Sequence, residues 1–276
     1  MNAMHRFGAV VAAAAAAAAV TACSTTAGMA TMAGGDMTTG PAAPSSTTAP
    51  VTAAPRTWVT IPDNVLASAP KRTSLIQRLT DGTERCTAGP AVAAAGTPAR
   101  RGFVAAAHCD VASGAPVTAG GESVAPYTGT RHGPYGVTVT WGASSTSPAV
   151  AAGRYKVAGV LTEEAVKQLP LDGSVSVCVD GATTGLHCGP MWDADADRIA
   201  VETPSAGGDS GAPLFLVDER GTATLIGVVE KSSDSYTYAA YLDRALTTLG
   251  AKALVDPAAA AAVAGDTRYS AETTAA

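Results

Sequence analysis

The stretch Gly207-Gly208-Asp209-Ser210-Gly211-Ala212-Pro213-Leu214 (GGDSGAPL) sets a serine in a glycine-flanked turn directly before an apolar run. Glycines there let the backbone turn sharply and bring its N–H groups up to a substrate carbonyl with no side chain in the way. Alone, GDSG is short, and a chance loop would contain it fairly often. A second stretch upstream changes its meaning: Phe103 to Cys109 (FVAAAHC) ends an apolar run in a histidine next to a cysteine. A lone histidine after a strand is usually structural. Paired with GDSG downstream, it supplies the base that an unactivated serine hydroxyl needs.

Outward from these two points, short β-prone runs alternate with turn residues: GFVAAA, GVTVTW, SVSVCV, APLFLV and ATLIGVV, bounded by Gly, Pro, Asp and Ser. This is the pattern of an all-β sandwich or barrel. The segment APLFLVDERGTATLIGVV reads as a hairpin turning at Asp218 to Gly221. Helical periodicity is strong over Tyr238 to Val255. A shorter helical piece over Thr162 to Leu169 opens on a capping threonine and two glutamates.

Cysteine adds specificity. Cys86 in RCTAG precedes the histidine strand, and Cys178 to Gly189 reads CVDGATTGLHCG, a Thr-Thr-Gly turn between two cysteines. With FVAAAHC and GGDSGAPL in the same order, the region from about Arg85 to Gly250 resembles streptogrisins and alpha-lytic protease, the bacterial branch of the trypsin-like serine proteases. The resemblance implies two antiparallel six-stranded β-barrels with a C-terminal helix, and disulfides Cys86 to Cys109 and Cys178 to Cys188. It implies His108 as general base, Ser210 as nucleophile, and the N–H groups of Gly208 and Ser210 as the oxyanion hole. Asp209 matches the buried aspartate that supports this loop. In the bacterial relatives an arginine just after the first hairpin cysteine pairs with that aspartate, but Val179 stands here, so the counter-charge is unidentified.

The third triad member departs from the pattern. Relatives carry an aspartate in a string like Asn-Asp-Tyr-Gly-Ile, and the matching string here is Gly133-Pro134-Tyr135-Gly136-Val137, with proline at the acid's place. From Val111 to Leu171 the only acids are Glu122, Glu163 and Glu164. Two of these suit a helix N-terminus and one a turn. In the family a serine after Leu-Val-Gly-Ile-Val lies against the triad aspartate, and the matching string Leu225 to Glu230 (LIGVVE) ends in glutamate. A lost acid and a gained acid in one small site motivate the hypothesis that Glu230 accepts the His108 Nδ1–H bond. The bland reading is an edge-strand glutamate solvated beside Lys231.

Six positions before the nucleophile, where trypsin-like enzymes keep a pocket-floor aspartate, stands Pro204; Lys231 and Ser232 replace pocket-wall residues. Small or apolar residues before the cut bond are therefore expected. Asp193, Asp195 and Asp197 read as a solvated hairpin tip, since the rest of a calcium loop is missing. His132 and His187 read as surface residues, and Trp141 and Trp192 as lids on core edges. No metal site or cofactor is expected.

The ends read as address and tether. Residues 1–22 form a short basic region, an alanine-rich apolar stretch and small residues before Cys23, which resembles a bacterial lipoprotein signal. An ordinary secretory signal or an uncleaved helix is the alternative. Cys23 would carry the lipid, 23–56 a disordered Ser/Thr/Ala/Pro linker, 57–256 the protease domain and 257–276 a flexible tail. The net charge of -5 over 276 residues, with 15% charged residues, leaves no basic face for nucleic acid. The expectation is a monomeric serine endopeptidase acting on polypeptide at the outer face of the cell membrane, or secreted if the linker is cut. The competing readings are a degenerate protease kept as an envelope binding module, and a purely structural envelope protein.

Overall fold

The computed structural model describes residues 56–142 and 149–276. The expected lipoprotein signal, Cys23 and nearly all of the expected 23–56 linker lie outside them. The chain enters through β1 (Trp58–Val59) and α1 (Asp63–Ser68). The first half then runs β2 (Ser74–Leu79), β3 (Gly82–Thr87), β4 (Ala91–Ala94), β5 (Thr97–Ala106), β6 (Val117–Ala119), β7 (Glu122–Val124), β8 (Thr128–Arg131) and β9 (Val137–Trp141), with a 3₁₀ turn over Ala107–Cys109. The second half gives β10 (Val150–Ala151), β11 (Tyr155–Val160), α2 (Glu163–Lys167), β12 (Ser176–Asp180), β13 (Leu186–Ala194) and β14 (Ile199–Val201). It continues with β15 (Pro213–Asp218), β16 (Thr222–Ser232), β17 (Thr237–Tyr241), α3 (Leu242–Leu249), β18 (Ala251–Val255), α4 (Pro257–Ala261) and β19 (Thr273–Ala275). The fold is all-β with a helix near the C-terminus.

The second half closes into a six-stranded barrel in the order β15-β12-β13-β14-β17-β16, because β15 pairs with both β12 and β16. Its inner wall is a run of Val, Leu and Ile from alternate positions of these strands, with Tyr241 among the largest buried side chains. The first half is built from a six-stranded sheet, β19-β18-β4-β5-β9-β8, and a four-stranded sheet, β3-β2-β6-β7. Val137–Trp141 is buried at all five positions, as a strand covered on both faces must be.

Local chemistry explains the elements. In α2 the Thr162 hydroxyl accepts from Ala165 N at 3.2 Å and Glu163 and Glu164 fill the first turn. The β15–β16 turn is fixed by Asp218, whose Oδ1 accepts from Arg220 N at 3.1 Å and Thr222 N at 2.8 Å. Arg56 pairs with the same carboxylate, tying the start of the domain to this hairpin. Both disulfides join the cysteines that the resemblance paired, Cys86 to Cys109 and Cys178 to Cys188. In the second, the two cysteines face each other across β12 and β13.

Three expectations need correction. The helical stretch over Tyr238 to Val255 is strand, helix, strand: only Leu242–Leu249 is α-helical, Gly250 ends it in the left-handed region at φ 60°, and AKALV returns to alternation as β18. The tail over 257–276 packs. Asp256 caps α4 through Ala258 N and Ala259 N, each at 3.0 Å, and Ala259 and Val263 pack on Ala158 and Tyr269. Tyr269 bridges to Leu161, and β19 adds to β18 in parallel. Low complexity hid these contacts because they rest on one aromatic residue and on backbone pairing. Trp192 covers no core edge: it is 62% exposed and meets the Tyr236 ring at a 60° tilt with 6.0 Å between centroids, whereas Trp141 is buried.

No helix among the described residues is long and apolar enough to cross a membrane.

Candidate active site

The 3₁₀ turn at the end of β5 presents His108, and the loop before β15 presents Ser210. Each follows from local sequence. Ala106 and Ala107 are buried at the end of a strand while the next side chain, His108, is exposed, and the neighbouring Cys109 is pinned to β3 by its disulfide. The structure brings the two side chains together: His108 Nε2 lies 2.8 Å from Ser210 Oγ.

On the other side of the imidazole, Glu230 Oε2 lies 3.4 Å from His108 Nδ1. Glu230 sits at an irregularity in the β16–β17 ladder: Val229 is opposite Ala239 but Lys231 is opposite Tyr238, so Glu230 is the extra residue. A bulge of this kind re-aims a side chain, and here the carboxylate is only 4% exposed, with Oε1 accepting from Ala107 N at 3.3 Å. Glu230 is therefore not the solvated edge residue of the bland reading. Its hydrogen bond to His108 holds the imidazole above the ordinary histidine range, against burial, which acts the other way. Burial in turn pushes the Glu230 carboxyl up, and the nearby imidazole opposes this. Pro134, at the place of the missing aspartate, is exposed in the β8–β9 loop.

The loop expected to supply the oxyanion hole runs from Gly207 to Ser210. Gly208 has φ +95°, and a Cβ there would meet Thr183 Oγ1 at 2.4 Å, so glycine is required on both counts. Among the described residues neither Gly208 N nor Ser210 N donates to a protein acceptor. Thr87 braces the loop from below, its Oγ1 donating to Gly208 O at 2.8 Å and its N to Ser210 O at 2.8 Å.

Asp209 is fully buried and its counter-charge proves unnecessary. Its carboxylate accepts from Thr183 N at 2.8 Å, Thr184 N at 3.2 Å, Thr184 Oγ1 at 2.8 Å and Ala206 N at 3.0 Å. Neutral donors thus satisfy the carboxylate for which the resemblance implies an arginine. Gly181 makes room for this, since a Cβ there would lie 2.2 Å from Asp209 Oδ1. The nearby guanidinium of Arg72 serves Asp180 and the carbonyls of Ala88 and Gly89 instead. Sequence reasoning read Thr183-Thr184-Gly185 only as a turn; two hydroxyl residues beside a vacant arginine position were the available signal.

Other expected residues fall as follows. Pro204, Lys231 and Ser232 are exposed, and the adjacent buried Ser205 accepts from Thr237 Oγ1 at 2.7 Å. Asp195 Oδ1 accepts from Asp197 N and Arg198 N in the β13–β14 turn, an ordinary turn-capping role. His132 is exposed, and His187 meets Thr184 O at 3.1 Å. Among the described residues, the only histidine, cysteine and carboxylate group at metal-binding spacing is Cys86, His108 and Cys109, whose two sulfurs form a disulfide.

No protein-family model matches the chain, and no curated protein sequence matches it. Solved structures do. Nocardiopsis protease is 18% identical with a TM-score of 0.51, covering 67% of this chain and 98% of its own. Thermobifida fusca protease A is 19% identical with a TM-score of 0.51, covering 68% and 99%. Cellulomonas bogoriensis chymotrypsin is 20% identical with a TM-score of 0.50, covering 68% and 99%. The chain therefore has the chymotrypsin fold, in the form found in bacterial serine proteases. Within that fold a glutamate on β16 stands beside the imidazole, and a buried aspartate is held by neutral donors.

Proposed function

We propose that this protein is a serine endopeptidase that works through an acyl-enzyme, with Ser210 as nucleophile, His108 as general base and Glu230 as the acid of the triad. The observation that carries the reading is the row Ser210 Oγ, His108 Nε2, His108 Nδ1 and Glu230 Oε2, with gaps of 2.8 and 3.4 Å. For Nε2 to accept the serine proton, the ring proton must be on Nδ1, and a carboxylate opposite Nδ1 favours that tautomer. Ser210 Oγ attacks the peptide carbonyl while Nε2 takes its proton. The imidazolium forms against Glu230, then donates to the leaving amine. Water repeats the sequence to release the acyl group. The free N–H groups of Gly208 and Ser210 would receive the oxyanion, a contribution of about 3–4 kcal/mol when such a donor is well aimed.

A polypeptide substrate follows from the fold's neighbours, and small or apolar residues before the cut bond from the absence of an acid at Pro204. The two disulfides support an exported protein. Lipid anchoring at Cys23, a monomeric state and no dealings with nucleic acid complete the proposal. The competing reading, a degenerate protease serving as a binding module, drew its strength from Pro134, and a buried carboxylate at the imidazole weakens it.

A serine-directed fluorophosphonate tests the two readings. Labelling of the wild type that is lost in both Ser210→Ala and His108→Ala supports the endopeptidase. A folded wild type that takes no label, and cleaves no peptide from a mixed library, overturns it.

A further inference from the structure

The two N–H groups without a protein acceptor, Gly208 N and Ser210 N, belong to peptide units whose carbonyls point the opposite way, as planarity requires. What holds each carbonyl therefore aims each donor. Asp209 O, across the peptide from Ser210 N, accepts from Ala212 N at 2.8 Å, a backbone bond that does not depend on any side chain. Gly207 O, across the peptide from Gly208 N, is held differently: it accepts from the side chain of Thr183, Oγ1 to O 3.0 Å.

The peptide it holds is flanked by glycine on both sides, so no Cβ resists its rotation. A Gly-Gly peptide released from its carbonyl partner can turn over by coupled changes in ψ of the first residue and φ of the second. Turned over, it would point a carbonyl where the donor should be. Thr183 is itself fixed on its other polar groups. Its N–H donates to Asp209 Oδ1 at 2.8 Å and its carbonyl accepts from Lys71 Nζ.

We propose that the Thr183 hydroxyl is a positioning group for the oxyanion hole, locking the Gly207–Gly208 peptide with its N–H toward the cleft. This rests on the endopeptidase reading for its catalytic consequence, though the peptide orientation itself does not. Thr183 touches no reacting atom; it acts through Gly208.

Thr183→Val removes the hydroxyl while keeping the shape and both main-chain bonds, and Thr183→Ser keeps the hydroxyl. The expected result for Thr183→Val is a fall in kcat approaching that for loss of one oxyanion donor, about 10²-fold, with KM and the pH profile unchanged. A peptide boronate that forms a tetrahedral adduct on the serine should lose affinity by the same factor, a product peptide should not, and Thr183→Ser should restore both. The crystal structure of Thr183→Val reads the peptide directly, with the Gly207 carbonyl turned out of its wild-type direction. If that carbonyl keeps its direction, or if kcat and boronate affinity stay within twofold of a Ser210-dependent wild type, the proposal is overturned. An inactive wild type whose peptide still turns over in Thr183→Val would refute the endopeptidase reading and leave the positioning role standing.

Discussion

Replacing Glu230 by glutamine keeps the volume and the acceptor for Ala107 N but removes the charge facing His108. At 3.4 Å and an effective dielectric near 20, a full ion pair would be worth about 5 kcal/mol. The imidazole side chain is 48% exposed, so solvent screening reduces this to about 2–3 kcal/mol, roughly 30- to 200-fold in rate. Glutamine can also turn its NH₂ toward Nδ1 and favour the wrong tautomer, which takes the loss toward about 10⁴-fold. Glu230→Gln should therefore lower kcat for a peptide substrate by about 10² to 10⁴ with KM little changed. Its acid limb should also move down in pH, because the carboxylate is the main group holding His108 above the ordinary histidine value. Stability should move the other way in alkaline buffer. Burial raises the Glu230 carboxyl pKa, so its favourable contribution is complete only below the unfolded value and is lost as pH rises through the folded one. Against the buried charge stands the raised His108 pKa, a stabilising contribution lost as pH rises through its folded value, so the burden that glutamine lifts is exposed only in alkaline buffer, once the imidazole is neutral. A melting temperature that falls less with rising pH than that of wild type, with a crippled kcat, is the expected pair of results. A kcat within threefold of wild type in a folded variant would refute the reasoning.

Asp209→Ala strips the acceptor from three buried or half-buried N–H groups and the Thr184 hydroxyl, and should lower the free energy of unfolding by about 3–5 kcal/mol in a urea titration, with loss of peptidase activity. The disulfides should rank by loop length: on the chain-entropy model Cys178→Ala with Cys188→Ala costs about 2–3 kcal/mol for a separation of 10, and Cys86→Ala with Cys109→Ala about 3–4 kcal/mol for 23, read by the same titration. Tyr269→Ala, which empties the contact between the tail and Ala158, Ala259 and Val263, should cost about 2–4 kcal/mol and leave kcat unchanged; an unaltered urea midpoint would mean the tail adds nothing.

The parts legible in the sequence are those encoded by short-range chemistry. Alternation in GVTVTW and APLFLV marked strands, Thr162 marked a helix start, and Asp218 marked a turn, because each effect acts within a few residues. Glu230 was found by the coincidence of a missing acid and an extra one. The bulge that turns it inward was not legible, since a register shift depends on how β17 meets β16. Asp209 posed the converse problem: a vanished arginine was visible, yet its replacement by two threonines depended on Gly181 letting the hairpin close over the carboxylate. Low complexity concealed the tail, because alanines around one anchoring tyrosine have the composition of a linker and the contacts of a lid.

The origin of β18 and β19 has a consequence for synthesis. β4 has β5 on one side and, on the other, a strand from residues 251–255 that is itself flanked by 273–275. On the ribosome, the N-terminal sheet therefore waits with an open edge while about 150 further residues are made. A nascent chain of this protein cannot complete its halves in order, and such late, long-range strand pairing makes for slow folding and for vulnerability to sticking edge to edge. A chain lacking 273–275 has its earliest sheet still unfinished.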